Sequence, residues 1–118
     1  MSDSIEHLMH ANLLEVFNER DRGKRRAAID RTYSEDVVFS DPEDLLVGHD
    51  AIDAKVQQLL DGAPAFVFAP DGPVYRNHDL AYLAWRFGPE GQEPVVRGVD
   101  IAFVEGGVIR KLYTLLLQ

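Results

Sequence analysis

The hydrophobic period of this chain changes near Ala63, and that change limits the fold more than any other feature. Before it, apolar residues recur at helical spacing; after it, they fall in short runs bounded by glycine, proline, asparagine and aspartate. Ile5, Leu8, Met9, Leu13, Val16 and Phe17 trace one helical stripe, widened by Leu14. Ser2 or Ser4 is its candidate cap, and Gly23 the break that follows it. A second helix is predicted over about residues 24–33, with Ala28, Ile29, Thr32 and Tyr33 inward. The third has Asp50 as candidate N-cap, Asp53 three residues on, and a stripe of Ile52, Val56, Leu59 and Leu60 that Gly62 ends.

Beyond Ala63, Phe66-Val67-Phe68 is a short strand between Pro64 and Pro70. Asn77-His78-Asp79 reads as a turn into a strand over 80–87, and Gly88-Pro89-Glu90-Gly91 as the next turn. Segments 95–104 and 108–117 flank Gly106-Gly107, a tight-hairpin signal. Helices followed by successive hairpins imply an α+β fold with the helices on one face of an antiparallel sheet. There is no repeat, linker or low-complexity region, so residues 1–118 read as a single domain. Alternation puts Asp100, Ala102 and Val104 on one face of their strand and Val99, Ile101 and Phe103 on the other. Both faces are largely apolar, and the helices can cover only one.

Composition narrows the function classes. A chain of 118 residues buries roughly two-thirds of its unfolded surface, enough for one core. It has no cysteine, which excludes disulfides and thiolate chemistry. The first residues lack the basic start and apolar run of a signal peptide, and no segment is long enough to span a membrane, so a cytoplasmic protein is expected. A net charge of −8 argues against a nucleic-acid partner, which needs a basic face. The one basic run, Lys24-Arg25-Arg26, reads as a solvated helix face.

The stretch from Tyr33 to Ile52 carries the strongest motif. A helix end and the acidic turn Ser34-Glu35-Asp36 feed the apolar Val37-Val38-Phe39-Ser40; Asp41 follows, Pro42 stops the ladder for want of an N–H, and Gly48-His49-Asp50-Ala51-Ile52 opens the next helix. Downstream stands Gly98-Val99-Asp100-Ile101-Ala102-Phe103, then Glu105-Gly106-Gly107-Val108-Ile109. Together these resemble the NTF2-like superfamily, in particular its SnoaL-like and ketosteroid-isomerase-like branches. The resemblance covers nearly the whole chain. It implies a cone-like α+β fold, three N-terminal helices on a strongly curved antiparallel sheet, a cavity between them, and a homodimer burying the Val99, Ile101 and Phe103 face. That fold hosts many activities, so architecture is better fixed than reaction.

In the isomerases the acid matching Asp41 is the general base, and a second, pocket-facing acid stands where Asp100 does. The resemblance thus implies Asp41 and Asp100 as catalytic residues: a less buried carboxylate that takes the proton, and a buried one whose raised pKa keeps it a hydrogen-bond donor. The bland reading of Asp41 is a turn-initiating Asp before Pro. Asp100, mid-strand between Val99 and Ile101, is harder to explain as structure alone. Leu13, Phe17, Tyr33, Val56, Leu83 and Trp85 are the candidate ligand-binding lining. The isomerases' oxyanion-donating tyrosine is missing: counting back five from Asn18 gives Leu13, ungapped counting gives Phe17, and neither carries a hydroxyl. Tyr33 is the candidate substitute.

The related epoxide hydrolases space an Arg and an Asp two apart on a strand. Arg97 and Asp100 are three apart, which puts them on opposite faces unless Gly98 forms a bulge. His49 and His78 read as loop and turn residues, His7 and His10 as too few ligands for a metal, and His10 as a secondary pocket candidate. No metal or organic cofactor is expected. Three functions remain: cofactor-independent proton transfer on a small hydrophobic carbonyl compound, a non-enzymatic module holding a small apolar ligand, and a dimerisation module whose cavity is incidental.

Overall fold

The computed structural model describes residues 4–117, so the alternative cap Ser2 lies outside the described residues. Helix α1 (Ile5–Ala11) starts at Ser4, whose Oγ accepts the His7 N–H at 3.0 Å. It continues as a π-helix over Asn12–Phe17. Asn12 and Phe17 lie on the buried side and Leu14 faces outward, 41% exposed, so Leu14 does not widen the stripe. Helix α2 (Arg22–Thr32) is capped by Asp21, whose Oδ1 accepts the Lys24 N–H at 2.9 Å. Gly23 therefore lies inside a helix, and the break falls before Asp21. Helix α3 (His49–Asp61) starts one residue before the expected cap; Gly48, at φ +94°, makes the turn into it, and Asp50 instead meets Arg26 at 2.6 Å.

Among the described residues seven strands form one sheet: β1 (Tyr33–Ser40), β2 (Leu45–Val47), β3 (Phe66–Pro70), β4 (Tyr75–Asn77), β5 (Leu80–Pro89), β6 (Val96–Glu105) and β7 (Val108–Leu117). The order is β2-β1-β7-β6-β5-β3, with β4 also on β5. The sheet is mixed rather than wholly antiparallel: β1 runs parallel to β7, while the other pairs are antiparallel. Tyr33 opens β1 instead of closing the helix before it. Gly106 and Gly107, at φ +65° and +81°, form the β6–β7 turn that the sequence marked.

The inner face carries Gly98, Asp100 and Ala102 of β6 beside Trp85, Leu83 and Ala81 of β5 and Leu116, Thr114 and Leu112 of β7. The helices close over this face, and the core lies between. Arg25 is fully buried, contrary to a solvated basic run: Nε meets Asp53 at 2.7 Å, while Nη1 and Nη2 donate to Glu19 O and Gln57 Oε1. It ties α2 to α3. On the outer face Val99 is already buried in the single chain, and Ile101 and Phe103 are half-buried. Among the described residues no helix is long and apolar enough to cross a membrane.

Candidate functional site

A cavity of about 190 Å³ opens between the π-helix and the inner face of the sheet. Its wall is mostly apolar, with Leu13 and Phe17 from the π-helix, Phe68 from β3, Trp85 and Phe87 from β5, and Leu116 from β7. Its polar members are Asp41, Glu43, Asp100 and Thr114. A larger cleft, about 610 Å³, lies on the surface along Arg26, Asp30, His49 and Asp50. Those side chains already pair with one another, Arg26 with Asp50 and His49 with Asp30, so that cleft offers a ligand little. The smaller apolar cavity is the better candidate.

Asp100 is its polar centre. Strand register sets Thr114 directly across β7 and Leu83 directly across β5. Thr114 Oγ1 donates to Asp100 Oδ1 at 2.8 Å, and Trp85 Nε1 donates to the same oxygen at 3.0 Å. Asn12 Nδ2 donates to Oδ2 at 2.9 Å. Trp85 can lie there only because its cross-strand partner is Gly98: a Cβ on Gly98 would fall 2.3 Å from the indole ring. Burial pushes the Asp100 carboxyl up to about 6, against the opposing pull of the Thr114, Trp85 and Asn12 bonds. Oδ1 has both acceptor positions filled, whereas Oδ2 carries one bond and keeps one acceptor position open.

Behind Asp100 the network extends away from the cavity. The buried Tyr33 hydroxyl donates to Asn12 Oδ1. Burial, and then the negative charge of Asp100, push the Tyr33 hydroxyl pKa well above its ordinary value, so it stays a donor. The direction of the Asn12 amide follows from its ends: an acceptor-only carboxylate on one side and a phenol O–H on the other.

Asp41 sits at the cavity rim in a different setting. Its Oδ1 accepts the backbone N–H groups of Glu43 and Asp44 at 2.9 and 2.8 Å, so it builds the β1–β2 turn. Its Oδ2 meets Lys55 Nζ at 3.1 Å, and the same ammonium reaches Asp44 at 2.8 Å and Glu43 at 3.3 Å. Burial opposes the Lys55 charge, but the bonds to Asp44 and Asp41 more than offset it and hold the proton more tightly than water would.

The structure thus brings five of the residues singled out in the sequence to one cavity: Leu13, Phe17, Asp41, Trp85 and Asp100. Val56, Leu83 and Tyr33 are buried outside its lining, and Tyr33 touches the site only through Asn12. His10 is half-buried in α1 and lies outside the lining. The β5–β6 register runs unbroken through Gly98, so no bulge turns Arg97 inward; it lies 3.4 Å from Asp71 on the outer side. Asn18 pairs with the backbone of Phe68 through both amide atoms and so seats β3 against the cavity. Asn12 and Lys55 were missed. Asn12 stands inside the first apolar stripe, three residues after Met9 and four before Val16, and that position was its signal; Lys55 lies at the edge of the stripe of Ile52, Val56 and Leu59, and the chain offers no sharper signal for it. Among the described residues no cluster of three or more His, Cys, Asp or Glu is arranged to hold a metal.

Solved structures share this architecture. A proposed isomerase of the SnoaL-like family from Agrobacterium tumefaciens superposes with a TM-score of 0.88 at 20% identity, covering 95% of this chain and 96% of that one. A proposed SnoaL-like polyketide cyclase from Jannaschia sp. CCS1 gives 0.77 at 13% identity, covering 98% and 90%. A proposed ketosteroid isomerase from Kribbella flavida gives 0.72 at 14%, covering 96% and 77%. At these identities the likeness establishes the fold and no more. No curated protein matches the sequence. The model of the SnoaL-like domain matches residues 11–112, a span running from the end of α1 into β7, and the chain belongs to that family.

Proposed function

We propose that this protein catalyses cofactor-independent proton transfer on a small, largely apolar carbonyl compound, with Asp100 as the group that moves the proton. The observation that carries this reading is a carboxylate with one open acceptor position in an apolar cavity, its pKa raised by burial to about 6. Such a group is mostly ionised near neutral pH yet basic enough to take a proton and acidic enough to return it. Asp100 Oδ2 removes a proton from carbon beside the carbonyl, leaving an enolate. The new O–H then delivers that proton either to another carbon, which is isomerisation, or to the alkoxide of an internal carbon–carbon bond formation, which is cyclisation. The protein ends each cycle in the protonation state in which it began.

These roles differ from those the isomerase resemblance implies. Asp41 is committed to its turn and to Lys55, so we assign it the shaping of the rim rather than the first proton transfer. The side-chain donors in the cavity wall, Trp85 Nε1 and Thr114 Oγ1, both serve Asp100. The enolate charge is therefore carried by the substrate's own conjugation and by the newly protonated Asp100. The same shortage of free donors favours a second reading, a binding module in which Asp100 only orients a ligand. Incubation of a ring ketone in D2O separates the two. The catalytic reading expects deuterium incorporation that Asp100→Asn abolishes; equal incorporation by both proteins would remove Asp100 from the chemistry.

We also propose that a second copy of the chain covers the outer sheet face. Leu45, Val47, Tyr75, Tyr113, Leu115 and Leu117 lie there at 37–69% exposure, large apolar side chains on one face that a partner surface would take out of water. Light scattering should give twice 13.3 kDa, and Leu115→Glu should halve it. A wild-type monomer would contradict the assignment.

A further inference from the structure

Resting on the proton-transfer reading, we infer that the substrate is a single-ring carbonyl compound carrying no negative charge, and that this cavity selects against both larger and anionic molecules. Size comes first. The cavity holds about 190 Å³. An engineered apolar cavity of about 150 Å³ accepts benzene, and pockets for drug-sized ligands start near 300 Å³. One six-membered ring with a short substituent fills such a space; a fused four-ring skeleton does not.

The walls that limit it are well fixed. Phe68 stacks on Phe87 at 4.0 Å between ring centroids and meets Trp85 edge-on at 5.2 Å. Trp85 is held at one end by its bond to Asp100 and along its ring by the floor at Gly98. Rotating it to enlarge the cavity would break the bond and leave Asp100 Oδ1 with one donor fewer. The aromatic wall is therefore a stop rather than a flexible lining. Only the mouth is loose, where Leu116 is 47% exposed and the Glu43 side chain 76% exposed, so a short substituent can reach solvent there.

Charge selection follows from the ionisable residues. Every one in the lining is a carboxylate: Asp41, Glu43 and Asp100. The ammonium of Lys55, which pairs with two of these carboxylates, is outside the lining and already meets Asp41, Glu43 and Asp44. An anion would pass two carboxylates, approach a third, and find neither a cation nor an unused side-chain donor in the wall. It would lose hydration with nothing to replace it.

The test uses the chain's one tryptophan, whose indole N–H gives a single resonance in the cavity wall. Four probes are titrated into the wild-type protein: 2-cyclohexenone, cyclohexanecarboxylate, cyclohexylamine and a four-ring steroid ketone. The expected result is a saturable shift with cyclohexenone, with the carboxylate bound about tenfold or more weakly and the steroid leaving the indole signal in place. Glu43→Gln should raise carboxylate binding relative to ketone binding. A carboxylate or steroid that binds as well as the small ketone overturns the proposal, as does a failure of cyclohexenone to bind. Cyclohexylamine bound more tightly than the ketone would overturn the carbonyl assignment in favour of an amine. Cyclohexenone that binds without deuterium exchange upholds the selectivity and removes the catalytic reading beneath it. Exchange confined to the steroid or the carboxylate does the reverse.

Discussion

The rim and the floor of the cavity each present an aspartate, and the two are held by different kinds of partner. At the rim, Asp41 spends one oxygen on two backbone N–H groups of its own turn and the other on an ammonium. These partners fix the carboxylate in place and hold the loop in its shape. On the floor, Asp100 has only neutral donors, from a hydroxyl, an indole and an amide, and apolar surroundings that disfavour its charge. Removing water without supplying a cation is what raises a carboxyl pKa. Two acids lining one cavity can thus be held in quite different ways, and the difference lies in whether the partner carries charge.

The largest expected effect separates the two directly. Asp100→Asn should lower turnover by about 10²–10⁴-fold, the range associated with loss of a general base, and Asp41→Asn by about tenfold or less. Rates of solvent-deuterium incorporation compare them, and an Asp41 loss equal to that of Asp100 would restore the two-base scheme.

The pH dependence sharpens the contrast. Activity that needs ionised Asp100 should fall about tenfold per unit below about pH 6. Stability moves in the opposite sense. The folded carboxyl holds its proton to about 6 against 3.8 in the reference state, so its contribution is full below about pH 4 and is lost as pH rises through about 6. That loss is on the order of 3 kcal/mol. Relative to wild type, Asp100→Asn should therefore gain stability between pH 4 and pH 7 in urea titrations. A pH-independent difference would place the raised pKa elsewhere.

Smaller effects distinguish the supporting groups. Asn12→Ala leaves both the Tyr33 hydroxyl and Asp100 Oδ2 short of a buried partner, a loss of about 3 kcal/mol. Lys55→Met frees three carboxylates, but Glu43 and Asp44 reach solvent, so about 1 kcal/mol is expected. Chemical denaturation ranks the two, and the reverse order would mean that the rim, not the floor, is the more tightly coupled cluster.

Much of this was legible in the chain. Asp100 stood out because alternation put a charge among apolar neighbours, and the same alternation placed Ala102 with it and Ile101 opposite. The Gly106-Gly107 hairpin was readable because its backbone requires positive φ at both positions. The parallel β1–β7 pairing was not readable, since local patterns mark strands without saying which strands meet. Asn12 was legible and was passed over: it stands three residues after Met9 and four before Val16, in the middle of the apolar stripe, where a buried polar side chain needs a partner, and the same spacing turns Leu14 outward. Lys55 gave less to read. It sits beside Val56 on α3 and reads as solvent-facing until the β1–β2 loop folds three acids onto it.

The most direct test of the account is the titration of the Asp100 side-chain carboxyl by carbon-13 NMR in uniformly labelled protein, followed together with the Trp85 indole N–H. The account predicts a midpoint near 6 for the carboxyl and the same midpoint in the indole resonance, because the two groups share a hydrogen bond. A carboxyl midpoint near 4, with an indole signal that does not follow it, would show Asp100 to be an ordinary ionised residue and would contradict its role as the proton carrier.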